Sequence, residues 1–136
     1  MLKFTELIAK TNPKSPIAEA YRVLRTNIQF SSPDRELKVI LITSSGPDEG
    51  KSTTSSNLAI TMAQFNMKVL LIDCDLRKPI VHRAFGLVNM KGLTNVLVEG
   101  IDYSSVINVT DVENLHIITS GPKPPNPAEL LGSRKM

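Results

Sequence analysis

Lys38-Val39-Ile40-Leu41-Ile42-Thr43-Ser44-Ser45-Gly46-Pro47-Asp48-Glu49-Gly50-Lys51-Ser52-Thr53 is the stretch that decides the fold. Residues 38–43 form a nearly continuous branched-aliphatic run, as expected of a parallel strand buried on both faces. Ser44 to Gly50 reads as loop, and residues 51–66 read as a helix with Leu58, Ala59, Met62, Ala63 and Phe65 inward. A tight loop between strand and helix aims backbone N–H groups at a common centre, where the positive end of the helix dipole adds to them and a polyphosphate is held. Gly50 permits close backbone approach, Lys51 reaches the β- and γ-phosphates, Ser52 offers a hydroxyl to magnesium, and Thr53 lies one residue on for another phosphate. Ser45 stands where the GxxxxGK[ST] pattern has its first glycine, an exchange that small size makes tolerable. Ser45, Gly46, Pro47, Asp48, Glu49, Gly50, Lys51, Ser52 and Thr53 are therefore the candidate nucleotide contacts.

A second apolar run, Val69 to Ile72, delivers the chain to Asp73-Cys74-Asp75-Leu76-Arg77-Lys78-Pro79. Open α/β sheets bind ligands at the C-terminal edge of their strands, where these two carboxylates and two cations fall. A carboxylate there can hold magnesium or its waters, or accept a hydroxyl proton, while Arg77 or Lys78 offsets phosphate charge. An Asp-x-Asp after a strand also serves as a turn or helix cap.

Working outward, Ile17, Tyr21, Leu24 and Ile28 recur at helical spacing, so residues 16–30 read as an amphipathic helix with Glu19, Arg22 and Arg25 on another face. The residues before them, closing in Asn12-Pro13-Lys14-Ser15-Pro16, read as an extended lead-in. Short helical pieces are expected at 80–85, 93–99 and 104–108, a strand at 115–119, a proline-rich loop at 122–127 and a helix from Ala128. Strands alternating with helices make a parallel α/β sheet the leading architecture.

The 136 residues fit one domain, with 41% hydrophobic and 21% charged residues in the ordinary globular range. A formal charge of +3 favours anionic ligands without demanding nucleic acid or a membrane surface. Cys74 is the lone cysteine, which excludes an intramolecular disulfide, and no apolar run approaches the roughly 18 residues of a spanning helix. The N-terminal stretch lacks the features of a secretory signal, so a cytoplasmic location is expected. His82 and His116 stand alone and read as structural, and Cys74 as packing, with its thiol pKa raised between two carboxylates.

The DxDxRKP segment after the second strand, with the PxEGKST loop before it, closely resembles the bacterial protein-tyrosine kinases of capsular and exopolysaccharide operons, of the CapB/CpsD type. Glu19-Ala20-Tyr21-Arg22-Val23-Leu24-Arg25 resembles that family's ExxRxxR oligomerisation helix, and residues 121–131 agree with it too. The resemblance implies a P-loop NTPase-type parallel sheet flanked by helices, a lead-in at 1–15, and a kinase domain from residue 16 onward. It implies ATP and Mg2+ as cofactors, bound by Lys51, Ser52 and Thr53. Asp73 and Asp75 would then share metal positioning and acceptance of the tyrosine proton, in an order left open. Its further implications are protein tyrosine substrates, a homo-oligomer through Glu19, Arg22 and Arg25, and a separate transmembrane activator that recruits the kinase to the inner face of the membrane.

The family's third nucleotide motif, an apolar strand ending in Asp-Thr-Pro-Pro, has no counterpart here, nor has its C-terminal tyrosine cluster; only Tyr21 and Tyr103 are present. By the resemblance, that strand lies between residues 38–43 and the Asp73 strand. The expectation is an incomplete domain, weak or inactive alone, in which residues 38–43 lose their neighbours. A ParA/MinD-like ATPase is the enzymatic rival, although Gly46 stands where such proteins carry an extra lysine. An inactive fragment that only oligomerises or binds an adaptor is the non-enzymatic one.

Overall fold

The computed structural model describes residues 6–136; the first five residues of the expected lead-in lie outside it. The described residues form two compact units, one of residues 6–69 with 112–114, the other of residues 70–111 with 115–136.

The first unit is helical, with α1 (Ile8–Thr11), α2 (Pro16–Phe30) and α3 (Lys51–Gln64). α2 has the expected bounds, and Ser15 caps it, its Oγ accepting the N–H of Ala18 at 3.1 Å with Pro16 at the first helical position. α3 buries Leu58, Ala59, Ile60, Met62 and Ala63, and Ala18 of α2 is fully buried. Instead of the extended lead-in, residues 8–11 make a helical turn, because α3 satisfies their backbone. The fully buried Asn57 accepts the Ala9 N–H at 3.0 Å and donates to the carbonyls of Glu6 and Thr53 at 2.8 and 2.9 Å. Gln64 donates to Ala9 O at 3.1 Å. Buried backbone groups need such partners, and these side chains supply them.

α2 turns a different face inward from the one its periodicity suggests. Ile17 is 59% exposed and Leu24 is exposed as well, whereas Arg25 donates to Thr61 O at 3.0 Å and stacks 4.4 Å over the Phe65 ring. The small Ala18 allows close helix approach and the arginine stem covers the seam. Phe65, expected inside, stays largely exposed with its face taken by that guanidinium.

Residues 38–43 do not form the expected buried strand. They join no sheet, and Val39 is 88% and Leu41 83% exposed. An apolar run becomes a strand only where a neighbouring chain segment completes its ladder, and among the described residues none pairs with this one.

The second unit carries the three-stranded sheet, in the order β1-β3-β2, from β1 (Val69–Ile72), β2 (Ile107–Val109) and β3 (Leu115–Ile118). β1 and β3 run parallel, with Val69 N–H donating to Asn114 O at 2.9 Å and Asp73 N–H to Ile118 O at 3.0 Å. β2 runs antiparallel to β3 with Ile107 opposite Ile118 and Val109 opposite His116, so the sheet is mixed rather than all parallel. The helix expected at 104–108 is a 3-10 turn, Tyr103–Val106, that passes directly into β2. Branched Ile107 and Val109 find cross-strand partners there.

α4 (Val81–Ala84), α5 (Leu93–Glu99) and α6 (Pro127–Leu131) complete this unit. Its core is Leu76, Leu93, Leu97, Val106, Ile118 and Leu130. α5 begins against the end of β3, where Leu93 and Thr94 donate to the carbonyls of Thr119 and Ser120 at 2.8 and 2.9 Å. Only a glycine fits at Gly92, since a Cβ there would overlap Thr119 O and Gly121 N.

Candidate nucleotide site

The loop of the first unit has the backbone its sequence calls for. Asp48 has φ 56° and Gly50 φ 87°, two left-handed residues within three positions that tighten the chain just before α3. No atom lies within 4 Å of where a Gly50 Cβ would stand, so conformation rather than space selects glycine. α3 opens with Thr54 N–H donating to Gly50 O at 2.9 Å, and no side chain caps it. The amides of Lys51, Ser52 and Thr53 precede the first helical donor, Thr54, the arrangement that receives an anion at a helix start.

Ser44 Oγ donates to Gly46 O at 2.7 Å, and Ser45 Oγ donates to Glu49 Oε1 at 3.1 Å. The serine that replaces the usual glycine thus ties the first and fifth positions of the GxxxxGK[ST] pattern together. Pro47, Asp48, Glu49 and Gly50 are exposed, while Lys51, Ser52 and Thr53 are half-buried.

In the second unit, β1 ends at Asp73, which is 4% exposed. Its Oδ1 accepts the Asp75 N–H at 3.1 Å and its Oδ2 the Val81 N–H at 3.2 Å. Burial pushes this carboxyl above the usual carboxylate range, with a smaller push from the Asp75 charge, against the opposing pull of the backbone N–H donors. Asp75 is half-buried and accepts the Lys78 N–H at 3.1 Å. The turn-and-cap role open to an Asp-x-Asp is therefore present for both acids. Arg77 and Lys78 are exposed.

Cys74 packs against the core cluster, and burial followed by the Asp73 charge raises its thiol pKa, as the sequence suggests. His82 is pushed down by burial and by Arg83. Among the described residues no three His, Cys, Asp or Glu side chains converge as a metal cage. Taken unit by unit, the Asp73 and Asp75 carboxylates are of the kind that Mg2+ takes beside phosphate oxygens and water, and the uncapped start of α3 is of the kind that takes a polyphosphate.

Glu19 and Arg22 form an ion pair at 2.6 Å, and Arg22 also donates to Pro13 O at 2.6 Å. Asn57 and Asn89 are the residues the sequence reading missed. Asn89 accepts the Gly121 N–H at 2.8 Å and donates to Gly121 O at 3.1 Å, pinning the start of the proline-rich loop. Nothing in a sequence separates a buried, clamping asparagine from one in a turn.

The family model described as an AAA domain matches residues 37–123, spanning the loop and both acids, and the chain belongs to that family. It is 54% identical over 130 residues to the Bacillus subtilis (strain 168) protein named Tyrosine-protein kinase YwqD, covering 96% of this chain and 55% of that protein. The crystal structure of the chimerical protein CapA2B2 is similar with a TM-score of 0.89 and 46% identity, over 99% of this chain and 59% of the other. The kinase domain of Escherichia coli tyrosine kinase ETK has a TM-score of 0.87 and 38% identity, over 96% of this chain and 51% of that one. The chain thus spans a little over half the length of these relatives. The P-loop α/β fold expected from the loop and the acidic pair is the fold they share.

Proposed function

We propose that this chain carries nucleotide-handling residues of an ATP-dependent protein-tyrosine kinase acting in capsular or exopolysaccharide synthesis. The observation that carries the reading is the left-handed Gly50 at the uncapped start of α3, followed by Lys51, Ser52 and Thr53, in a chain 54% identical to a protein named as a tyrosine kinase.

The amides of residues 51–53 bind the phosphates, Lys51 draws charge from the β- and γ-oxygens, and the Ser52 hydroxyl is a magnesium ligand. When bound, Mg2+ would supply neutralisation of the phosphate charge. Asp73 and Asp75 would share holding the metal and accepting the tyrosine proton, in either order, and Arg77 would offset phosphate charge. The phenolic oxygen bonds to the γ-phosphorus, the bond to the bridging oxygen breaks, and ADP leaves. Little covalent chemistry is asked of the protein, so positioning and charge suffice.

In this reading the kinase domain begins at residue 16 and acts at the cytoplasmic face of the membrane, recruited by a separate transmembrane activator. No described helix is long and apolar enough to cross a membrane. α2 is the self-association helix, with Glu19 and Arg22 at its surface beside exposed Ile17, Val23 and Phe30. Arg25 belongs to the same self-association motif and, within the chain, donates to Thr61 O at 3.0 Å.

Incubation with γ-labelled ATP, Mg2+ and a tyrosine-containing copolymer tests the activity. Label on tyrosine that disappears in Lys51→Met supports it. Release of inorganic phosphate alone supports the ParA/MinD-like ATPase instead, and ATP binding left unchanged by Lys51→Met supports a purely assembling module.

A further inference from the structure

The sequence holds two tyrosines, and the fold treats them differently. Tyr21 is half-buried on α2, whereas Tyr103 is 62% exposed at the start of its 3-10 turn. The backbone beneath Tyr103 is fixed on both sides. Asp102 Oδ1 accepts the Ser104 N–H at 2.8 Å, Ser105 Oγ donates to Asp102 O at 2.6 Å, and Val106 is buried in the core. The Tyr103 side chain lines a largely apolar recess of about 220 Å³ together with Leu70, Ile72, Leu97 and Lys135.

We propose that Tyr103 is a phosphoacceptor of this chain and that Lys135 is the cation that receives the added phosphate. The proposal rests on the tyrosine-kinase reading above and names an acceptor for it. An acceptor must enter the active site of another molecule, which exposure on a fixed turn permits and half-burial within a helix opposes. The Tyr103 Oη forms the new bond to the γ-phosphorus, the bond to the β-γ bridging oxygen breaks, ADP departs, and the phenolic proton passes to a carboxylate of the phosphorylating molecule. The product carries about −1.5 to −2 charges and three acceptor oxygens. Such a group is not accommodated by the apolar lining of that recess, and the ionised Asp102 next to it in sequence repels it. Lys135, which lines the same recess, supplies the compensating charge, so phosphorylation draws the side chain into an ion pair.

The test presents the full chain bearing Lys51→Met, which silences its own transfer, to a catalytically active bacterial tyrosine kinase of the same family with ATP and Mg2+, and maps phosphate by tandem mass spectrometry. Phosphate at residue 103, lost on adding Tyr103→Phe and retained on adding Tyr21→Phe, is the expected result. Phosphate at Tyr21, or at neither tyrosine, overturns the proposal. ATP with Mg2+ is titrated into the wild-type chain and into Lys51→Met alongside. Absence of ATP binding to wild type, with Tyr103 labelled by the added kinase, counts against the kinase reading alone; ATP binding that Lys51→Met abolishes, with an unmodified Tyr103, counts against the acceptor alone.

Discussion

Asp73 Oδ2 accepts the backbone N–H of Val81 at 3.2 Å, eight positions along the chain, while its Oδ1 accepts that of Asp75 at 3.1 Å. One buried carboxylate thereby closes the loop that carries Asp75, Arg77 and Lys78. Residues read from the sequence as a chemical pair are also an architectural one, with Asp73 setting the backbone on which Asp75 stands.

Asp73→Ala removes an acceptor from two backbone donors, the one at Val81 buried, and is expected to cost about 1–3 kcal/mol of stability. Asp73→Asn keeps one acceptor oxygen and should lose less. Urea unfolding of the two variants checks the order. Equal stability of wild type and Asp73→Ala would show that the loop does not depend on this carboxylate.

At Gly50 the left-handed backbone, rather than crowding, sets the requirement. Gly50→Ala is expected to strain the loop by about 1–2 kcal/mol and to weaken nucleotide binding. Gly46→Ala meets only the end of the Glu49 side chain, at 3.2 Å, which can swing away. Titration of a fluorescent ATP analogue should show a clear loss for the first substitution and little for the second.

Arg25 and Arg22 belong to one motif yet make different contacts. Arg25→Ala removes the bond to Thr61 O and the stack on Phe65, the latter alone worth about 0.5–1 kcal/mol at an exposed ring. Arg22→Ala breaks a surface pair with Glu19 worth roughly 0.2–0.5 kcal/mol. Thermal unfolding should rank Arg25→Ala well below Arg22→Ala. The opposite order would mean that Arg25 is not a support for the α2–α3 seam.

Asp102 has its carboxyl held below the ordinary value of 3.8, first by the Ser104 side chain and then by the Ser104 N–H. The sign follows from linkage. A depressed folded pKa gives stability that is present above 3.8 and is lost as pH falls through the lower folded value. The Ser104 amide resonance should therefore titrate with a midpoint below 3.8, and Asp102→Asn should abolish that titration. A midpoint above 3.8 would contradict the hydrogen bonds at this turn.

How much of this was legible beforehand depends on how local each cause is. α2, α3, β1 and α5 were readable because caps, apolar period and flanking glycines lie within their own sequence. The phosphate loop was readable for the same reason, since Gly50 and the residues after it dictate their backbone. Three features depended on partners far along the chain. Residues 38–43 carry a strand's composition but join no ladder. α1 exists because Asn57 and Gln64 complete its backbone bonds, and the inward turn of Arg25 follows from Thr61 and Phe65. No periodicity within those segments encodes such neighbours.

Calorimetric titration of ATP with Mg2+ into the wild-type chain and into Lys51→Met addresses the claim on which the functional account stands. Saturable one-site binding that Lys51→Met abolishes, with its thermal unfolding unchanged in the absence of nucleotide, is the predicted result. Absence of binding to wild type, or equal binding to both, would contradict it.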